Sequence, residues 1–208
     1  MKNTECPKAT SRSHPSAAIT VKKTHIFDPK HAEVLEAEER KLWENPDQII
    51  GLVKTKPIDV AADLGCGSGF FTLPLAKKVR KVYAIDVQEE MLCILERKIR
   101  KQKIRNVELV LSEDDEIPLE NESVELLISV NTLHEFSDKT KMIREMQRLL
   151  KLEGKAVIVD FKKESRGFGP PVAIRVSKEE AIVLFERTNF SILKTVDLPF
   201  HYGLVFSK

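Results

Sequence analysis

Val60-Ala61-Ala62-Asp63-Leu64-Gly65-Cys66-Gly67-Ser68-Gly69-Phe70-Phe71-Thr72 is the stretch on which the reading of this chain turns. Val60 to Leu64 is apolar at every position but Asp63, the pattern of a strand buried on both faces. Glycines at 65, 67 and 69 then let the backbone turn tightly and approach a ligand with no Cβ in the way. The amphipathic run Phe70 to Val79 reads as the helix that this loop feeds, and a helix start offers unpaired N–H groups. Strand, glycine loop and helix in that order suit the holding of a cofactor. The spacing is not the G-x-G-x-x-G of a dinucleotide site, because phenylalanine stands at position 70.

Downstream, short apolar runs alternate with helical patterns. Asp59–Leu64, Lys81–Ile85, Val107–Leu111, Val124–Val130 and Lys155–Phe161 read as strands separated by four helical stretches. Glu125 to Val130 and Ala156 to Val159 are apolar on nearly every residue, as strands covered on both faces by helices must be. The helix after Asp86 shows its apolar face at Met91, Leu92, Leu95 and Ile99, and the one after Phe136 at Met142, Ile143, Met146, Leu149 and Leu150. Ser177 and Glu180 form a capping box that opens a helix to about Thr188. Two strands follow, Ser191–Leu198 and Tyr202–Ser207, joined by so few residues that they must pair antiparallel. The expected fold is α/β, a Rossmann-like doubly wound sheet of seven strands, mostly parallel with an antiparallel last strand and helices on both faces.

Upstream, Met1 to about Thr24 mixes Lys, Ser, Thr and Pro without periodicity and reads as a flexible tail. Asp28-Pro29 and Asn45-Pro46 each offer an N-cap followed by proline at the first helical position, so two helices in the place of a lid are expected over residues 25–57. The domain thus runs over residues 25–208.

The motif Asp63-Leu64-Gly65-Cys66-Gly67-Ser68-Gly69, followed by this strand order and ending, resembles the class I S-adenosylmethionine-dependent methyltransferases. Within that family it is similar to the broad group that acts on quinones and other small metabolites. The resemblance implies S-adenosyl-L-methionine as cofactor, S-adenosyl-L-homocysteine as product, and a cofactor site of Asp63, Gly65, Cys66, Gly67, Gly69, Asp86, Val87, Met91, Glu113, Asp114 and Asn131. Asp86 ends the second strand where a carboxylate would meet the ribose diol. In the acidic loop after the third strand the adenine acceptor is Glu113, with Asp114 next to it. At the end of the fourth strand, Asn131-Thr132-Leu133-His134 faces the methyl group; Asn131 is a polar wall, and His134 is either a general base or a structural residue capping the next helix. The loop from Lys162 to Pro171, with glycines at 167 and 169, is placed to cover the acceptor.

Composition narrows the function further. The 34 basic and 32 acidic residues of 208 balance to +2, so the whole chain shows no bias toward nucleic acid or an anionic membrane. Cations from Arg97 to Arg105 crowd the end of one helix without interleaved aromatics, which leaves RNA a minor alternative. Three cysteines at 6, 66 and 93 suit reduced thiols and a cytoplasmic location, and no apolar run is long enough to span a membrane. Neither the Pro-Pro-Tyr type of amino-methylation motif nor a catalytic cysteine motif for cytosine C5 chemistry stands in the sequence, so the acceptor expected is a small molecule, and no metal site is expected. Two further readings are a silent cofactor-binding sensor and an NAD-dependent oxidoreductase, the second disfavoured by the glycine spacing and the terminal strand pair.

Overall fold

A computed structural model of the protein describes residues 27–30, 40–165 and 167–208. The tail expected from Met1 to Thr24 lies outside the described residues, as does most of the helix expected after Asp28-Pro29. Five strands follow the reading closely: β1 Val60–Leu64, β2 Lys81–Asp86, β3 Val107–Leu111, β4 Val124–Val130 and β5 Leu150–Phe161. They alternate with α3 Thr72–Ala76, α4 Glu89–Gln102 and α5 Lys139–Leu149. Ahead of β1 stand α1 Arg40–Trp43 and α2 Pro46–Ile50; after β5 come α6 Lys178–Glu186, β6 Ser191–Asp197 and β7 His201–Ser207.

The sheet order is β3-β2-β1-β4-β5-β7-β6. β1 pairs parallel with both β2 and β4, and β5 parallel with β4, while β7 lies antiparallel between β5 and β6. The chain leaves β1 toward β2 and β3, then returns to the other side of β1 as β4. Connections diverge at that point, so a crevice opens between the C-terminal ends of β1 and β4. It is there that the glycine loop and the Asn131–Phe136 turn emerge.

Alternate residues of the strands feed two cores. Ala62, Leu64, Leu127 and Ile158 pack with Met142, Met146, Ala181 and Phe185 of α5 and α6. Ala61, Val82, Ile128 and Val157 pack on the other face with Ile49 and Ile50 of α2 and Leu75 of α3, joined there by Leu92 and Leu95 of α4 against Ala84. Each fully buried Leu, Ile, Val, Met or Phe side chain among them contributes about 1.5–3 kcal/mol.

Local signals hold where their hydrogen bonds can be checked. Asn45 caps α2 by accepting from the Gln48 N–H at 3.2 Å, and Ser177 with Glu180 forms a complete capping box on α6. Three expectations are corrected. No helix separates β3 from β4, where residues 112–123 form turns. α3 is shorter than Phe70–Val79, because Lys77 and Lys78 close it with i→i+3 bonds to the Pro74 and Leu75 carbonyls. β5 begins at Leu150 rather than Lys155: Glu153 takes a left-handed φ of 64° beside Gly154, so a bend within one strand looked like a turn before it.

Cys66 is a buried free thiol. No helix among the described residues is long and apolar enough to cross a membrane.

Candidate active site

The crevice at the end of β1 and β4 deepens into a cavity of about 590 Å³. Its floor is the glycine loop. Gly65 has φ 74°, and a Cβ there would lie 2.3 Å from the Thr132 hydroxyl, so glycine lets the tips of β1 and β4 come together. Gly69 has φ 92°, and a Cβ would strike Leu95 of α4 at 2.3 Å. Gly69 therefore seats the loop against a helix and does not line the cavity, unlike the other two glycines of the motif.

Asp63 points to the α3 side of β1 and accepts from the Thr72 hydroxyl at 2.6 Å. Burial pushes its carboxyl up to about 7 despite that bond. At the end of β2, Asp86 accepts from the Gly67 N–H at 2.8 Å and from the Gln88 N–H at 2.9 Å. Helix α4 starts after Gln88, so Asp86 holds the loop that precedes the helix and is not its N-cap. Burial also holds its pKa above the ordinary carboxylate value, with the two N–H donors opposing. Val87 and Met91 line the cavity beside it, and Cys66 lies beneath, its thiol kept protonated by burial.

In the acidic loop after β3, the two residues expected at the site, Glu113 and Asp114, are placed differently. Glu113 is exposed, turned outward by a bond from its N–H to the Glu116 carbonyl, and it does not line the cavity. Ser112 and Asp114 do. Alternation at a strand end sends neighbours to opposite sides, and sequence alone left the phase of that alternation open.

Asn131 ends β4 with a left-handed φ of 58°, and its amide Nδ2 donates to Glu44 Oε1 at 2.6 Å. Three residues further, His134 lies in a short 3₁₀ turn, buried, with Nδ1 2.8 Å from Asp160 Oδ1 and its backbone N–H donating to Asp160 Oδ2 at 3.0 Å. Asp160 also accepts from the Phe161 N–H and is fully buried near the end of β5. Burial disfavours the imidazolium, but the bond to Asp160 and its charge outweigh this and hold the His134 pKa above its ordinary value. Asp138, not His134, caps α5. Glu135 stands 3.9 Å from His134 Nε2, its carboxyl raised by burial to about 7.

Several lining residues escaped the sequence reading. Arg40 and Trp43 of α1 form one wall, with the Arg40 guanidinium 4.2 Å over the Phe70 ring and paired with the buried Glu44. α2, the other helix expected as a lid, is instead part of the core. His201 stacks on Trp43 at 5.6 Å and is fully buried, which drives its pKa down to about 4. The loop after β5 is fixed by Arg175, whose guanidinium donates to the carbonyls of Lys162, Glu164, Phe168 and Pro170. The sequence marked the loop from Lys162 to Pro171 by its glycines, but not Arg175, whose guanidinium reaches 5 to 13 residues back to hold it.

Four buried polar atoms on cavity-lining residues have no hydrogen-bond partner among the described residues: Ser68 Oγ, Gln88 Oε1, Ser112 Oγ and Asn131 Oδ1. Buried polar groups are seldom left so, and their grouping around the glycine loop and Asp86 fits a polar cofactor with a diol and amino groups. Among the described residues no cluster of metal-ligating side chains occurs.

Comparison with known proteins agrees with this geometry. Residues 62–158 match the model of a methyltransferase domain. A crystal structure of a SAM-dependent methyltransferase from Aquifex aeolicus is 32% identical, with a TM-score of 0.83 over 88% of this chain and 99% of that one. Demethylmenaquinone methyltransferases of Bacillus mycoides and Lactobacillus johnsonii are 27% and 32% identical over 61% and 52% of this chain. The chain spans about half the length of those curated relatives, 54% and 46% respectively. A glycine loop at the β1 end, an acidic residue closing β2, the antiparallel last strand and a relative matched along nearly its whole length lead to one assignment: the chain belongs to the S-adenosylmethionine-dependent methyltransferase family.

Proposed function

We propose that this protein transfers a methyl group from S-adenosylmethionine to a small-molecule acceptor, with His134 taking the acceptor's proton. The observation that carries the reading is that the glycine loop with Asp86 and His134, backed by the buried Asp160, line one cavity. Asp86 would hold the ribose, Asp114 the adenine amino group, and Gly65, Cys66, Gly67, Val87 and Met91 the surrounding surface. When bound, the cofactor supplies a methyl group already activated on a positively charged sulfur. Asp63, Asp86, Asp114 and Glu135 all line the cavity and suit such a charge.

What the chain's own residues add is position, dryness and a base. Asp160 accepts from His134 on both its backbone N–H and Nδ1, which fixes the ring and leaves Nε2 to receive a proton. The apolar rings opposite exclude water from the reacting atoms. Support for a small acceptor comes from the names of the curated relatives and from the enclosed shape of the site. None of the cations from Arg97 to Arg105 lines the cavity, so the cluster adds nothing to an RNA reading.

The test is transfer of labelled methyl from the cofactor into a metabolite extract. A labelled small product is expected, and His134→Asn should lower the rate by about 10²–10⁴-fold with cofactor affinity kept. Because Asp160 raises the imidazole pKa, the wild-type rate should rise with pH through an ionisation above 6.5, and the variant should lack that step. Cofactor binding with no transfer into any product would identify a sensor instead.

A further inference from the structure

The cavity lining carries two kinds of chemistry. Its carboxyl groups, Asp63, Asp86, Asp114 and Glu135, come from the ends of β1 to β4 or the turns just beyond them, with Glu135 3.9 Å from His134 Nε2. The second kind is a run of rings: Trp43 lies 5.3 Å from Phe168, Phe161 lies 6.1 Å from Phe168, and Phe161 meets the His134 imidazole edge to face at 6.3 Å. These four residues therefore form a continuous aromatic surface that ends at the imidazole.

That surface is held in place by the fold. Arg175 is buried and binds four carbonyls of the loop that carries Phe168, and its guanidinium lies 5.3 Å over the Phe161 ring. Gly169 brings the same loop so close that a Cβ would lie 2.7 Å from Phe161. Among the described residues the one lining arginine, Arg40, is engaged with Glu44 and the Phe70 ring, and no lysine lines the cavity. Above the His134 pKa, an acceptor carrying a carboxylate or phosphate would find carboxylates around it and no unengaged cation among the described lining residues. A flat neutral ring would find offset and edge-to-face partners.

Resting on the methyl-transfer reading, we propose that the acceptor is a neutral planar aromatic compound bearing an ionisable hydroxyl, its ring against Trp43, Phe161 and Phe168 and its hydroxyl on His134 Nε2. In the activating step the O–H bond breaks, the proton passes to Nε2, and the bonding pair stays on oxygen. The imidazolium so formed keeps its Nδ1–H on Asp160, whose charge offsets it. Alcohols without a ring lack the wall's contacts, and aromatic acids carry the wrong charge.

The chain contains a single tryptophan, and it is Trp43 in this wall, so its fluorescence reports the site directly. The probe is 4-nitrophenol, which quenches tryptophan and whose phenolate has its own visible band. It is titrated into the full chain with S-adenosylhomocysteine present, and calorimetry in parallel measures binding of that nucleoside. Saturable quenching is expected, with a rise of the phenolate band at constant pH as the protein takes the proton. His134→Gln should keep the quenching and lose the band. Phe168→Ala, at a partly exposed position, should weaken binding by about three- to tenfold. 4-Nitrobenzoate, a fixed anion of similar shape, should bind at least about tenfold less well, one unfavourable charge contact being worth more than about 1.4 kcal/mol. Equal binding of 4-nitrobenzoate, an unchanged phenolate band in wild type, or no quenching while S-adenosylhomocysteine binds would each overturn this inference alone. Failure of S-adenosylhomocysteine to bind would overturn the methyl-transfer reading with it.

Discussion

Replacing Asp86 by asparagine probes the cofactor site with little change of shape. In the wild type Oδ2 accepts from the Gly67 N–H at 2.8 Å and Oδ1 from the Gln88 N–H at 2.9 Å, which leaves each oxygen a lone pair for a hydroxyl. A neutral diol donating to an ionised carboxylate gains about 1.5–3 kcal/mol per bond. Asparagine offers one oxygen and turns an N–H toward a backbone N–H, so one ligand bond is lost and the glycine loop is strained. S-adenosylhomocysteine affinity should therefore fall by roughly ten- to hundredfold, read by calorimetry. Acidity adds a second signature. Burial raises the Asp86 pKa, so its carboxylate is protonated earlier than an ordinary aspartate as pH falls. Affinity in the wild type should drop on acidification through that raised pKa, and the asparagine variant should show no such drop. A folded variant with unchanged affinity would refute the reasoning and leave Asp86 as a loop-holding residue only.

Gly69→Ala should lower stability by about 1–3 kcal/mol through its left-handed φ of 92° and the collision with Leu95, while cofactor affinity stays within a few-fold where the variant is folded; lost affinity with unchanged thermal stability would show that Gly69 does touch the ligand. Glu44→Ala leaves Arg40 and the Asn131 amide without their buried partner and should cost about 3–5 kcal/mol in denaturant unfolding, a loss under about 1 kcal/mol counting against the network. Asp63 keeps a proton in the folded state up to about pH 7 that the unfolded chain releases near 3.8. The stability linked to it is fully present below 3.8 and lost as pH rises through about 7, so the wild type should lose stability relative to Asp63→Asn across that window; a constant difference in melting temperature would contradict it.

What could be read in advance follows the range of the forces involved. β3 and β4 appear at the residues expected, because a buried strand writes its character on each consecutive residue. The Asn45 and Ser177 caps were legible for the same reason, their partners being three residues away. The turn after β3 was expected to hold a helix; instead Ile117 is buried there as a loop residue held by Glu145 and Arg148, partners more than twenty residues on. His134 was identified by position, but its role turns on Asp160, 26 residues on, and no local pattern links the two. The same holds for Glu44 with Asn131, 87 residues apart, and for Arg175 with the loop before it. The register of β4 against β5 that brings Asp160 to His134 is a property of the whole sheet.

The account rests on a cofactor site built from the glycine loop, Asp86 and the end of β4, and calorimetric titration of S-adenosylhomocysteine into the protein, repeated with NAD as competitor, tests it most directly. Saturable binding at one site per chain, undisturbed by NAD and weakened by Asp86→Asn, is the predicted result. Comparable binding of NAD, or no binding of S-adenosylhomocysteine to the folded protein, would contradict it.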